Sequence, residues 1–145
     1  MESHCASSAG ELLHAVERGR SVTVRAGDRT MAVVDGERLR DFLARFCPAE
    51  ARVVAEDGRW SVFIPGLPVA ADGSTYDEAI DEMGNALREY AEDWQEHLAD
   101  TANHRGNWAL VQMICLSSED QLREWLTIHR PVPEAGQQYA TRDRG

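Results

Sequence analysis

The sequence contains no lysine: all fifteen of its basic residues are arginine. That removes lysine as a nucleophile or Schiff-base former. Cysteine is scarce and odd in number. Cys5, Cys47 and Cys115 lie far apart, with no C-x-x-C and no paired Cys/His spacing, so neither a disulfide framework nor a zinc finger is indicated. Glycine-rich phosphate loops are missing too; Gly27, Gly36 and Gly58 stand alone, as turn glycines do. No apolar run approaches the roughly 18–20 residues needed to cross a bilayer. The opening Met1-Glu2-Ser3-His4-Cys5 lacks the basic-then-apolar order of a signal peptide, which predicts a cytosolic protein.

What is present is an ordinary soluble mixture of 145 residues, 43% hydrophobic and 28% charged, enough for one compact domain or two small ones. The formal net charge of -10 is concentrated in the middle. Residues 1–48 carry seven Arg and seven acids, residues 104–145 five of each, and residues 49–103 three Arg against thirteen acids. A globally basic nucleic-acid binder is excluded, but a local arginine strip is not, because charge acts over about a Debye length.

Hydrophobic spacing predicts an α+β chain. Ala9, Leu12, Leu13 and Val16 share one face of a short helix that Gly19 stops. Ser21–Arg25 and Thr30–Val34 read as strands around a turn at 26–29. Asp35 can cap a second helix, with Leu39, Phe42, Leu43 and Phe46 facing inward and Pro48 closing it. So small an α-β-β-α unit has little core of its own, and a homodimer through residues 3–48 is expected. A second unit, 49–130, opens with a hairpin, Ala51–Glu56 and Arg59–Ile64, around Asp57-Gly58. Gly66-Leu67-Pro68 bends the chain. Thr75 and Glu78 form a capping box for a long helix from Tyr76, whose apolar stripe runs Ala79, Ile80, Met83, Leu87, Tyr90, Trp94 and Leu98. Trp108–Leu116 reads as a further, buried strand, with Cys115 as a small core residue. Ser117 with Asp120 caps a last helix that turns Leu122, Trp125 and Leu126 inward. Residues 131–145, rich in Pro, Gly, Gln and charge, read as a disordered tail.

The chemistry-bearing residues do not assemble into an enzyme signature. Asp77 with Asp81, and Glu89 with Asp93, stand at i, i+4 and could hold a metal, but the pattern favours a solvated acidic helix face. His14, Cys47, His97, His104 and Cys115 match no nucleophile or ligand motif. No cofactor, metal or small-molecule substrate is therefore expected. Arg18, Arg20, Arg25 and Arg29 are either scattered surface charge or, doubled in a dimer, a strip able to reach phosphates. The four Trp residues, 60, 94, 108 and 125, are assigned to core packing by default.

Two segments carry a resemblance. Glu11-Leu12-Leu13-His14-Ala15-Val16-Glu17-Arg18-Gly19, Val22-Thr23-Val24-Arg25, Met31-Ala32-Val33-Val34 and Glu37-Arg38-Leu39 together resemble the Phd/YefM (prevent-host-death) antitoxins over residues 3–43. Asp57-Gly58-Arg59-Trp60-Ser61-Val62-Phe63-Ile64-Pro65-Gly66-Leu67-Pro68 and Gly73-Ser74-Thr75-Tyr76-Asp77-Glu78-Ala79 resemble the partial RNase-H-like domain of HicB antitoxins over residues 51–94. With Asn107-Trp108-Ala109-Leu110-Val111-Gln112, the chain looks like the actinobacterial prevent-host-death proteins that join both. The resemblance implies a type II antitoxin without enzymatic activity, which neutralises a protein toxin and represses its own operon. It implies operator contacts from Ser3, His4, Ser7, Arg25 and Arg29. The acids Glu89, Glu92, Asp93 and Glu96 would steer a basic toxin, and Trp125 on the last helix would anchor it. A stand-alone dimeric transcriptional regulator and a degenerate RNase-H-like hydrolase are the alternatives.

Overall fold

The computed structural model describes residues 9–128, so Ser3, His4, Ser7 and the 131–145 tail lie outside the described residues. The fold is α+β. It divides into two compact units, residues 1–41 and 42–145, and the division falls inside a helix.

The first unit begins with α1 (Ala9–Glu17). Gly19, at φ 91°, ends it: its N–H donates to Val16 O at 2.9 Å and the Arg20 N–H to Ala15 O at 3.1 Å, the paired closure of a Schellman motif. The positive φ is what disfavours any other residue there; a Cβ would also lie 2.8 Å from the Arg38 guanidinium, which is free to swing aside. Strands β1 (Val22–Ala26) and β2 (Arg29–Val33) form an antiparallel hairpin that pairs Val22 with Val33, Val24 with Met31 and Ala26 with Arg29. Its apolar face is poorly covered: Val24, Met31 and Val33 are 53%, 52% and 46% exposed. Helix α2 (Gly36–Phe46) starts on Asp35, whose Oδ1 accepts from the N–H groups of Glu37 and Arg38 at 2.9 and 3.2 Å. The expected inward stripe on α2 is only partly realised. Leu43 is buried, but Phe42 and Phe46 are exposed and stack on each other with ring centroids 6.0 Å apart.

The second unit is built on a three-stranded antiparallel sheet, β3 (Arg52–Glu56), β4 (Arg59–Phe63) and β5 (Ala70–Gly73), in that order. Asp57 and Gly58 both take positive φ, 55° and 75°, as the two-residue hairpin turn requires. Strand β5 is not visible in the residue pattern, because Ala, Asp and Gly are weak strand formers. Its pairing with β4 runs from Phe63 opposite Ala70 to Trp60 opposite Gly73. Helix α3 (Tyr76–Asp93) lies close over the sheet at Gly73: a Cβ there would lie 2.5 Å from the Ala79 backbone nitrogen.

The N-terminus of α3 is capped as expected at Thr75, whose Oγ1 accepts from the Glu78 N–H at 3.0 Å. The Glu78 carboxylate reaches one residue further back than a capping box places it, accepting from both the backbone N–H and the hydroxyl of Ser74 at 2.7 Å. Those bonds, the hydroxyl's first, hold the Glu78 carboxyl below its ordinary pKa, helped by the Arg59 charge. The buried stripe of Ile80, Met83 and Leu87 packs α3 between the sheet and two further helices. Its last turn, Trp94–Leu98, widens to a π-helix.

The segment Trp108–Leu116, expected as a buried strand, is a helix, α4. A nine-residue apolar run has no periodicity to separate the two forms. As a helix it buries Val111, Met113 and Ile114, while Cys115, expected in the core, is exposed. No glycine stops α4. Instead the Ser117 N–H closes the last turn on Ile114 O at 3.2 Å, and Arg88 of α3 donates to Ser117 O at 2.6 Å and adds a longer bond to Ile114 O at 3.3 Å. Helix α5 (Glu119–Thr127) is capped by Ser118 with Gln121, not by Ser117 with Asp120: each side chain bonds the other's N–H, at 3.1 and 2.8 Å. Ser117 is buried, its hydroxyl donating to Met113 O at 2.7 Å. Among the described residues no helix is long and apolar enough to cross a membrane.

Candidate partner-binding surfaces

Helix α3 presents two sets of acids. Asp77 and Asp81, one turn apart, both pair with the Arg123 guanidinium of α5; the Asp77 contact is 2.7 Å. They clamp two helices together across the surface, and the pairs are exposed enough for each to contribute little, under about 1 kcal/mol. Glu89, Glu92, Asp93 and Glu96, the acids expected to meet a toxin, are exposed on the following turns. Asp93 pairs with His97 at 2.9 Å. Glu89, Glu92 and Glu96 have no ion-pair partner among the described residues. Glu89 and Asp93 wall an open groove of about 410 Å³ whose other sides are Pro68, Ala70, Leu98 and His104.

Trp125 is placed differently from expectation. Its indole is 6% exposed and its Nε1–H donates to Cys47 O at 2.8 Å, so it fastens α5 to the segment that enters the sheet. In this fold it is a core residue with no surface to offer a partner. Trp60 meets Tyr76 edge-on with ring centroids 5.6 Å apart, and Trp94 donates to His104 O at 2.7 Å. Trp108, assigned to the core by its apolar neighbours, is 54% exposed. The signal for it lay in the helical spacing of 108, 112, 115 and 116, which becomes readable only once the segment is a helix.

His97, His104 and Cys115 do not converge. They bond Asp93, Tyr90 and Gln95 respectively, and the Tyr90 hydroxyl sits between His104 Nδ1 at 2.9 Å and the Asn107 amide at 2.8 Å. No group of three or more His, Cys, Asp or Glu side chains arranged to hold a metal ion occurs among the described residues.

In the first unit, Arg25 and Arg29 flank the tip of the hairpin, and both are exposed. Arg25 bonds the Thr30 hydroxyl at 3.4 Å. The register assigns them to opposite faces: Arg29 lies on the face of Val24 and Met31, and Arg25 on the face of Thr23 and Ala32. They therefore do not form a strip along one face of the hairpin.

These surfaces define an α+β protein with an under-covered apolar hairpin and a separate acidic helical unit. No protein-family model matches the chain, and no curated protein does. Among solved structures, the fold is similar to a crystal structure from Syntrophomonas wolfei subsp. wolfei, described as "an antitoxin part of a putative toxin/antitoxin system". The two share 18% sequence identity at a TM-score of 0.72, and the match covers 92% of this chain and 95% of the other.

Proposed function

We propose that the protein is the antitoxin of a type II toxin–antitoxin pair, acting by direct binding rather than by catalysis. The observation that carries this reading is the end-to-end fold similarity to a protein assigned as an antitoxin, 92% of one chain on 95% of the other. It agrees with the Phd/YefM resemblance of residues 3–43 and the HicB resemblance of residues 51–94. The division of labour follows the charge. The middle of the chain, with thirteen acids and three Arg in residues 49–103, engages a basic toxin, its exposed acids raising the association rate. Residues 1–48 form a homodimer that covers the apolar hairpin face around Val24, Met31 and Val33. The dimer presents Arg25 and Arg29 at the hairpin tips to operator DNA.

Co-expression tests the central claim. The protein encoded beside this gene should arrest growth when expressed alone, and this chain should restore it. If the neighbour is harmless, or still arrests growth beside this chain, the antitoxin reading fails. Light scattering of the full chain at micromolar concentration should give twice 16.2 kDa; a clean monomer removes the dimer. Gel shifts on the gene's own upstream region should weaken steeply with salt and on Arg25→Ala and Arg29→Ala. A retained shift with a harmless neighbour would favour a stand-alone regulator instead.

A further inference from the structure

Helices α3 and α4 lie side by side and leave an unpartnered face along their seam. On α4 the solvent side is Trp108, Gln112, Cys115 and Leu116, at i, i+4, i+7 and i+8. Trp108 is 54% exposed, Leu116 39%, and Cys115 is exposed. A half-exposed Trp in a line with Leu and Cys is an expensive surface to leave in water. Opposite it, Arg88 and Glu92 of α3 and Gln95 of the π-helical turn that continues α3 follow one another in a line at i, i+4 and i+7. Its two ends are tied to α4: Arg88 to the carbonyls of Ile114 and Ser117, and Gln95 Nε2 to Cys115 Sγ at 3.4 Å. Glu92, between those ties, is therefore held beside the Cys115–Leu116 end of the apolar strip, with Glu96 next to Gln95. The nearest cation on α3, Arg88, is spent on carbonyls, so the acids at this edge are uncompensated among the described residues.

We propose that this seam is the docking surface for the cognate toxin, with Trp108 as the apolar anchor and Glu92 and Glu96 as its acidic rim. The inference rests on the antitoxin reading and names the site where that reading would act. Charge selects the occupant. A second copy of this chain meeting this face with the same face would set acid against acid, whereas a basic protein with an apolar recess matches both strip and rim. Tryptophan is among the residues that most often anchor a protein interface, its ring becoming desolvated in a pocket of the partner. The hydrogen bonds from Arg88 and Gln95 pre-form the surface, so little ordering is left for the moment of binding.

The test uses the full chain labelled with 5-fluorotryptophan and, as probe, the protein encoded by the adjacent reading frame, made in a cell-free system. Four fluorine resonances, one per Trp, are assigned by single Trp→Phe variants. On saturation the Trp108 resonance should move while the Trp125 resonance stays. In surface binding, Trp108→Ala should raise the dissociation rate by about tenfold or more. The double variant Glu92→Gln, Glu96→Gln should mainly slow association, and added salt should do the same to the unmutated chain. Leu116→Ser is a second strip variant. All of these positions are exposed, so thermal unfolding should be nearly unchanged, which separates lost binding from lost folding.

Undiminished binding by both Trp108→Ala and Leu116→Ser, or an unmoved Trp108 resonance at saturation, overturns the seam and leaves the antitoxin reading standing. A neighbour that neither binds the unmutated chain nor arrests growth overturns both. If Trp108 responds to the concentration of this chain alone, and Trp108→Ala lowers its assembled mass, the seam joins two copies and the proposal is wrong.

Discussion

Gly73→Ala probes the close approach of α3 to β5 in the second unit. The added Cβ would lie 2.5 Å from the Ala79 nitrogen, 2.9 Å from the Glu78 carbonyl carbon and 3.0 Å from the Ala79 Cα, all of them backbone atoms. Ordinary contact starts near 3.4 Å, so sheet and helix must part by roughly 1 Å, and no side chain can swing aside to spare them. Overpacking of this kind costs about 1–3 kcal/mol. Gly73 has no positive φ, so alanine takes its backbone conformation without strain and recovers about 0.4–1 kcal/mol by stiffening the unfolded chain. The net loss is about 1–2 kcal/mol, a fall of the order of 5–10 °C in Tm for a unit of this size. Gly84→Ala is the internal control. It lies within α3, where a Cβ would meet nothing within 4 Å, and alanine should stabilise it by about 0.5–1 kcal/mol. All four Trp residues lie in the 42–145 unit, so tryptophan fluorescence reports the melting of that unit without interference from the first. A Gly73→Ala protein that melts within about 1 °C of the parent, or above it, would refute the close packing of α3 on β5.

Trp125→Phe should cost about 1–3 kcal/mol, since it strands the Cys47 carbonyl that the indole satisfies, whereas Trp108→Ala should change the melting temperature little; equal effects would contradict the burial difference. The lowered pKa of Glu78 fixes the sign of its pH dependence: its contribution is fully present above the ordinary carboxylate pKa and is lost as pH falls through the folded value. Carbon-13 titration should therefore find the Glu78 midpoint below that of an unstructured glutamate and moving up in Ser74→Ala; an unshifted midpoint would count against the Ser74 bonds. Burial raises the Cys47 thiol pKa, so in a Cys5→Ser background a disulfide reagent at neutral pH should modify the exposed Cys115 well before Cys47. Equal rates would contradict the partial burial of Cys47.

Local signals in the sequence determined most of the elements. Asp35, Thr75, Gly19 and Asp57-Gly58 each act within a few residues of themselves, through a cap or a turn that needs no distant partner. The long stripe from Ala79 to Trp94 likewise records its buried face directly, because a helix of that length has room to show its period. Tertiary structure decided what short or uniform segments could not encode. Ala70–Gly73 becomes a strand because β4 offers an edge and Gly73 lets α3 close over it. Trp108–Leu116 becomes a helix whose end is held by Arg88, 26 residues earlier. The same long-range packing chose between the tryptophans. Trp125 found a carbonyl acceptor at Cys47, 78 residues away, and went inside. Trp108 stayed on the outer side of α4 because Val111 and Ile114 already filled the face toward the core. Which apolar side chain stays in water is settled by the space its neighbours leave, a property of the packed fold and not of any stretch of residues.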